Sequence, residues 1–259
     1  MVKKIVSVVL VSVFLSLSLS GCGVVKSFFT YWDGLSKSEA REFVEKTLEE
    51  KYGEEFVVKQ MYLKAGSWDT ASDLMADCSP TSDENIVFST QTLAIGKERV
   101  LSDNYIQNVV RKQLKQIIDN VLAEYYENFV SQVFVTPLNY WYDSGIRSVN
   151  NATIKNFSES FTNNDDNYTL VYIAIKTSEK DFDNVKNALQ KMCNNFYSLN
   201  VSLDCYYTDE HTIERCKENI DKSYREIGVT EILRRGNFEM DEFVFFNDGR
   251  GLVYIPKDN

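Results

Sequence analysis

Five cysteines and one histidine carry most of the reactive capacity of this 259-residue chain. A thiol can be acylated, oxidised to a disulfide, bound to a metal or used as a nucleophile. Cys22 stands alone at the end of an apolar run, whereas Cys78, Cys193, Cys205 and Cys216 are spread through the body of the chain. Four thiols can pair in three ways. Their spacing argues first for something simpler. Cys78 alternates with Leu74 and Ala76, Cys205 with Val201 and Leu203, and Cys193 and Cys216 fall on apolar faces of helical stretches. All four therefore point toward core, where cysteine behaves as a small hydrophobe, and buried free thiols are expected. Cys193–Cys205 is the pair to expect if a disulfide forms in an oxidising compartment.

A metal site from Cys205, His211, Glu214 and Cys216 is disfavoured. There is no CxxC or HExxH, and His211 and Cys216, five apart, fall on different faces of a helix. His211 is the single imidazole available to a Ser-His-Asp or Cys-His device. It sits beside Asp209 and Glu210 at an expected helix start, an ordinary place for a solvated side chain. Asp165, Asp166 and Asn167 resemble half of a calcium loop without its spacing or its bidentate Glu. Asn247-Asp248-Gly249 suits a turn, and Gly-rich phosphate loops are absent. No carboxylate pair for glycoside hydrolysis stands out among 38 acidic residues. The triplet Tyr140-Trp141-Tyr142 fits a packed junction better than a sugar- or peptide-stacking surface. The expectation is a protein without catalytic, cofactor-binding or metal-binding residues, and not an enzyme.

Cys22 is different. Lys3 and Lys4 precede the apolar stretch Ile5 to Leu19, which is interrupted only by serines, and Ser20-Gly21 lead into the cysteine. This is the layout of an export signal, and the apolar part is short for a membrane span. Leu19-Ser20-Gly21-Cys22 resembles the lipobox of bacterial lipoproteins, a likeness confined to residues 1–22. The resemblance implies that the Cys22 sulfur receives a diacylglyceryl group and that the chain is then cut before Cys22. The protein would be held at the extracytoplasmic face of the cell membrane. Two or three acyl chains suffice for this, since each buried CH₂ contributes about 0.8 kcal/mol.

The 238 residues from Cys22 onward suit one large domain or two small ones. Net charge is −10, and about −12 once Lys3 and Lys4 are removed. With no basic cluster, nucleic acid is excluded as a partner. Attachment by a polybasic patch is excluded too, so an acyl anchor would act alone. With 3 Pro and 11 Gly, extended disorder is not expected.

Residues 22–35 would be the membrane-proximal tether. It is aromatic, with Phe28, Phe29, Tyr31 and Trp32. These rings suit either the headgroup layer or the surface of the folded domain. A helix starts at Ser36 or Ser38, carries Ala40, Phe43, Val44 and Leu48, and stops at Gly53. Strands follow at 55–64, 71–78 and 86–95, with Ser79 to Asp83 as a loop, giving a helix and an antiparallel meander. Asp103 or Asn104 opens an amphipathic helix to about Asn128, and Val133 to Val135 form a short strand.

Domains are expected over 36–137 and 138–259. The second has a helix at 153–161, a strand at 168–175 and a helix from Ser178 or Asp181. A strand at 199–207 completes a unit that suits a parallel crossover. A helix capped near Asp209, a strand or helix at 229–233 and a C-terminal hairpin complete it. The fold class expected is α+β: two small units, each an antiparallel or mixed sheet packed by amphipathic helices. The function expected is a binding or structural role at the membrane through protein contacts. The alternative is a lipid-anchored envelope hydrolase with a carboxylate-based site.

Overall fold

The computed structural model describes residues 31–64, 72–95, 98–135, 144–160, 168–196, 199–220, 229–236, 238–246 and 251–255. The chain forms two compact units, residues 1–84 with 89–101 and residues 85–88 with 102–259. The fold is α+β, with one antiparallel and one mixed sheet, each packed by helices.

In the first unit, helix α1 (Lys37–Tyr52) begins with a reciprocal cap. Ser36 Oγ accepts from the Glu39 amide, and Glu39 Oε2 accepts from the Ser36 amide at 2.7 Å. Four orphan amides open every helix, and this pair satisfies two of them locally. Gly53 ends α1 at φ 72°, a left-handed conformation that glycine takes without a Cβ clash. Ala40, Val44, Leu48 and Tyr52, one every four residues, form the buried stripe.

Strands β1 (Phe56–Lys64), β2 (Asp73–Pro80), β3 (Phe88–Ile95) and β4 (Glu98–Asp103) make a sheet in sequential order, the expected meander. Two features differ from expectation. β2 runs through Ser79 to Pro80, which pairs with Phe56, so the loop begins only at Thr81. β4 was not expected, because its charged start, Glu98-Arg99, hides a short edge strand. At the other edge, the β1 register shifts between Val58 and Gln60. There Glu45 accepts the Val58 amide at 2.9 Å and Arg41 donates to the Val58 carbonyl at 2.6 Å. Two side chains of α1 thus occupy backbone groups of the bulged edge strand.

In the second unit, helix α2 (Tyr105–Leu122) spans about 27 Å, with Ile106, Val110, Leu114 and Ile118 buried. It stops six residues earlier than the periodicity suggests. The amides of Glu124, Tyr125 and Tyr126 turn back onto Val121 and Leu122, and the apolar residues beyond serve a turn and then a strand. α2 packs on β5 (Phe129–Val135), whose Ser131 is tied to it. The division expected at 137 is therefore corrected: contacts group the long helix with the C-terminal sheet, and the units part at 101/102.

That sheet runs β5, β6 (Tyr168–Lys176), β7 (Asn200–Thr208), β8 (Glu239–Phe246), β9 (Gly251–Ile255). β6 and β7 are parallel, and the other neighbours are antiparallel. Helix α3 (Ile154–Glu159), capped by Thr153, packs on α2. Helix α4 (Phe182–Cys193), capped by Asp181, connects the parallel pair. Helix α5 (Glu210–Glu218), capped by Asp209, follows β7, and α6 (Val229–Arg235) precedes β8. Residues 229–235 are thus helix, resolving the strand-or-helix alternative.

The two faces of the sheet read off by alternation. Val130, Ala174 and Tyr206 pack with Cys216, Val229, Ile232 and Leu233 of α5 and α6. On the opposite face, Ser131 bonds α2, and Phe243 contacts Phe182 of α4. β6 is apolar on both faces because it lies between neighbours with helices above and below.

Candidate functional site

Cys22 lies outside the described residues, as do Asp165 to Asn167, Tyr140 to Tyr142 and Asn247 to Gly249. Just beyond Cys22, the description begins at a clasp. The chain makes a tight turn in which the Tyr31 amide donates to Leu35 O, and Trp32 and Leu35 exchange two backbone bonds. Asp33 and Gly34 take positive φ there, 44° and 78°. Trp32 is 3% exposed, donates its indole N–H to Ser72 O at 2.8 Å and packs 6.2 Å from the Phe43 ring. Arg99, from the unexpected strand β4, lies 5.7 Å above the Trp32 ring and 5.9 Å above Phe43. Arg99 also bonds Asp33 through Nε to Oδ2 at 2.8 Å and through Nη2 to the carbonyl at 3.0 Å. Trp32 therefore packs as part of the folded unit.

Cys78, Cys193, Cys205 and Cys216 are buried, and no disulfide joins Cys193 to Cys205. Burial pushes Cys193 and Cys205 up to about 12 and Cys216 up to about 11. Cys205 and Cys216 lie on opposite sides of the sheet: Cys216 packs with Tyr206, and Cys205, one residue away on β7, points the other way. A metal cannot be shared across a sheet. Among the described residues, no three His, Cys, Asp or Glu side chains gather at metal-binding distance. His211 is exposed on the first turn of α5. Its neighbour Asp209 spends its carboxylate on the Thr212 amide at 2.7 Å, a bond that holds the carboxyl below its ordinary range.

Two polar clusters arise that sequence reasoning missed. At the end of the parallel pair, Tyr207 donates to Asp241 Oδ2 at 2.6 Å and Tyr254 donates to Oδ1 at 3.3 Å. Lys180, just before α4, lies 4.7 Å from the Tyr207 ring centre and is paired with Glu239. That bond raises the lysine further above its usual range. Burial pushes the Tyr207 hydroxyl up, and the neighbouring buried Cys205 and half-buried Asp241 add to the effect. Phe182 and Tyr254 meet edge to face at 5.1 Å and remain 39% and 41% exposed. The cluster joins a carboxylate with an open aromatic pair, an arrangement that can receive amines or hydroxyls. Its members come from four separate elements, and β-alternation along β7 and β8 was the only available signal.

In the second cluster, Ser131 donates to Asp119 Oδ1 at 2.5 Å, and Lys115 donates to Asp119 Oδ2 at 2.7 Å and to Ser131 Oγ at 3.2 Å. Serine and lysine at this distance invite comparison with Ser-Lys nucleophiles. The wiring is against it. Ser131 is fully buried, its proton is directed at the carboxylate, and Lys115 acts as donor to both partners. The triad fastens α2 to β5.

Comparison with protein-family models finds no match, and comparison with curated proteins finds none. Among solved structures, the chain is similar to a DUF5037 family protein from Ruminococcus gnavus ATCC 29149. The TM-score is 0.56 at 18% identity, covering 85% of this chain and 95% of that one. The covered share exceeds either unit alone, so the likeness takes in parts of both. It is a likeness of fold. No described helix is long and apolar enough to cross a membrane.

Proposed function

We propose that this chain is a lipoprotein held at the extracytoplasmic face of the cell membrane by acyl chains on Cys22, and that it works there by binding, through protein contacts. The observation that carries the reading is the position of Leu19-Ser20-Gly21-Cys22. It closes a lysine-started apolar run and stands ten residues ahead of Trp32, the first buried side chain described. The covalent step is ordinary thiol chemistry. The Cys22 sulfur displaces the headgroup of a phospholipid at the glyceryl carbon to form a thioether, and the Gly21–Cys22 peptide bond is then hydrolysed. A binding role is supported by the apolar side chains left open at the edge strand β9, where Val253, Tyr254 and Ile255 are all exposed.

The test is detergent phase partitioning of the full chain and of Cys22→Ala, with mass analysis of the N-terminal peptide. The expected result is a diacylglyceryl mass on a peptide beginning at Cys22, and loss of the variant from the detergent phase. Equal partitioning of both proteins would overturn the proposal.

A further inference from the structure

We infer that the Trp32–Arg99 clasp sets the length of the membrane tether, so that the point where the chain enters the first unit, at Trp32, is held within about 35 Å of the bilayer surface. The inference rests on the lipid anchor proposed above.

A fully extended chain gains at most ~3.3–3.6 Å per residue. Ten residues separate Cys22 from Trp32, which limits the reach to about 35 Å whatever path they take. The limit holds because Trp32 is a fixed point. Its ring is buried against Phe43, its indole N–H is bonded to Ser72 O, and the Arg99 guanidinium covers it. The turn is then locked from outside, since Arg99 holds both the side chain and the carbonyl of Asp33. Four separate pieces of the first unit meet here: the N-terminal turn, α1, Ser72 and β4. With the clasp open, the next fixed point is the start of α1 at Ser36. The tether grows to fourteen residues and its limit to about 50 Å.

The experiment uses the full lipidated chain in vesicles carrying headgroup-labelled acceptor lipid, with a donor dye at Glu49→Cys on the exposed side of α1. Trp32→Ala and Arg99→Gln open the clasp, and circular dichroism monitors folding. Energy transfer is expected to fall in both variants as the limit on the tether rises from about 35 to about 50 Å, while both stay in the detergent phase. Unchanged transfer in folded, acylated variants would overturn the clasp. A parent protein without acyl mass on Cys22 would overturn the anchor and this inference with it. A second measurement needs no clasp variant: with Trp68→Phe and Trp141→Phe, Trp32 emission is expected to be insensitive to brominated lipid. Quenching would place the indole in the bilayer and overturn the clasp directly.

Discussion

Tyr207 and Asp241 are bonded diagonally across β7 and β8. The direct partner of Asp241 is Cys205 and that of Tyr207 is Glu239, yet the Tyr207 hydroxyl reaches Asp241 Oδ2 at 2.6 Å. The carboxylate serves two tyrosines unequally. Tyr207 is buried with a short bond, while Tyr254 is exposed with a bond of 3.3 Å. Tyr207→Phe is expected to destabilise the protein by about 1–2 kcal/mol and Tyr254→Phe by clearly less. Urea denaturation of the two variants measures the difference, and equal costs would contradict the unequal sharing.

Tyr126 presents the opposite case. It is 4% exposed, and its hydroxyl has no hydrogen-bond partner among the described residues. Burial pushes that hydroxyl above its ordinary range. Tyr126→Phe removes a desolvated oxygen and keeps the ring, so it is expected to be neutral or to stabilise by up to ~1 kcal/mol. A clear fall in thermal midpoint would show that the oxygen has a partner in solution.

The thiols make stability pH-dependent on the alkaline side. Cys193 and Cys205 titrate near 12 in the folded protein against 9.0 when solvated. Below pH 9 both states hold the proton and stability is unaffected. Between about pH 9 and 12 the unfolded chain releases protons that the folded chain keeps, so stability falls as pH rises. Thermal midpoints measured from pH 7 to 11 should be flat and then decline, and Cys193→Ala should decline less steeply above pH 9. In native buffer at pH 8, iodoacetamide should leave Cys78, Cys193, Cys205 and Cys216 unmodified and label all four in denaturant.

The reciprocal cap of α1 predicts coupling between its two residues. Ser36→Ala is expected to cost about 1 kcal/mol. Because Ser36 and Glu39 satisfy each other's amides, the double variant with Glu39→Ala should cost less than the sum of the single changes. Additive costs in a double-mutant cycle would mean that the two bonds form independently.

Much of this architecture is local chemistry, and that part was legible in the sequence. Asp181 and Asp209 cap their helices, Gly53 ends α1, and apolar residues on both faces of β6 place it inside a sheet. What escaped was decided by partners far away in the chain. β4 exists because β3 offers it an edge, and its charged residues concealed it. Helix α2 stops at Leu122 because the apolar residues beyond are claimed by β5 pairing with β6, so periodicity overran the boundary. Part of what fastens α2 to β5 is the bond from Ser131, a small polar residue without a distinctive signature. Asp241 and its tyrosines are assembled from β7, β8 and β9, and no spacing rule connects them. The role of Trp32 needed Ser72 and Arg99, 40 and 67 residues downstream, to become visible.

The bulge in β1 bears on crowding. Molecules confined to a surface meet far more often than in free volume, and each encounter is a chance for one sheet to zip onto the next. Along β1, the Val58 amide and carbonyl are already taken by Glu45 and Arg41, and the kink at Lys59 breaks the straight ladder that a neighbouring strand would need. Dense packing of copies can then proceed without fibril seeding from that rim.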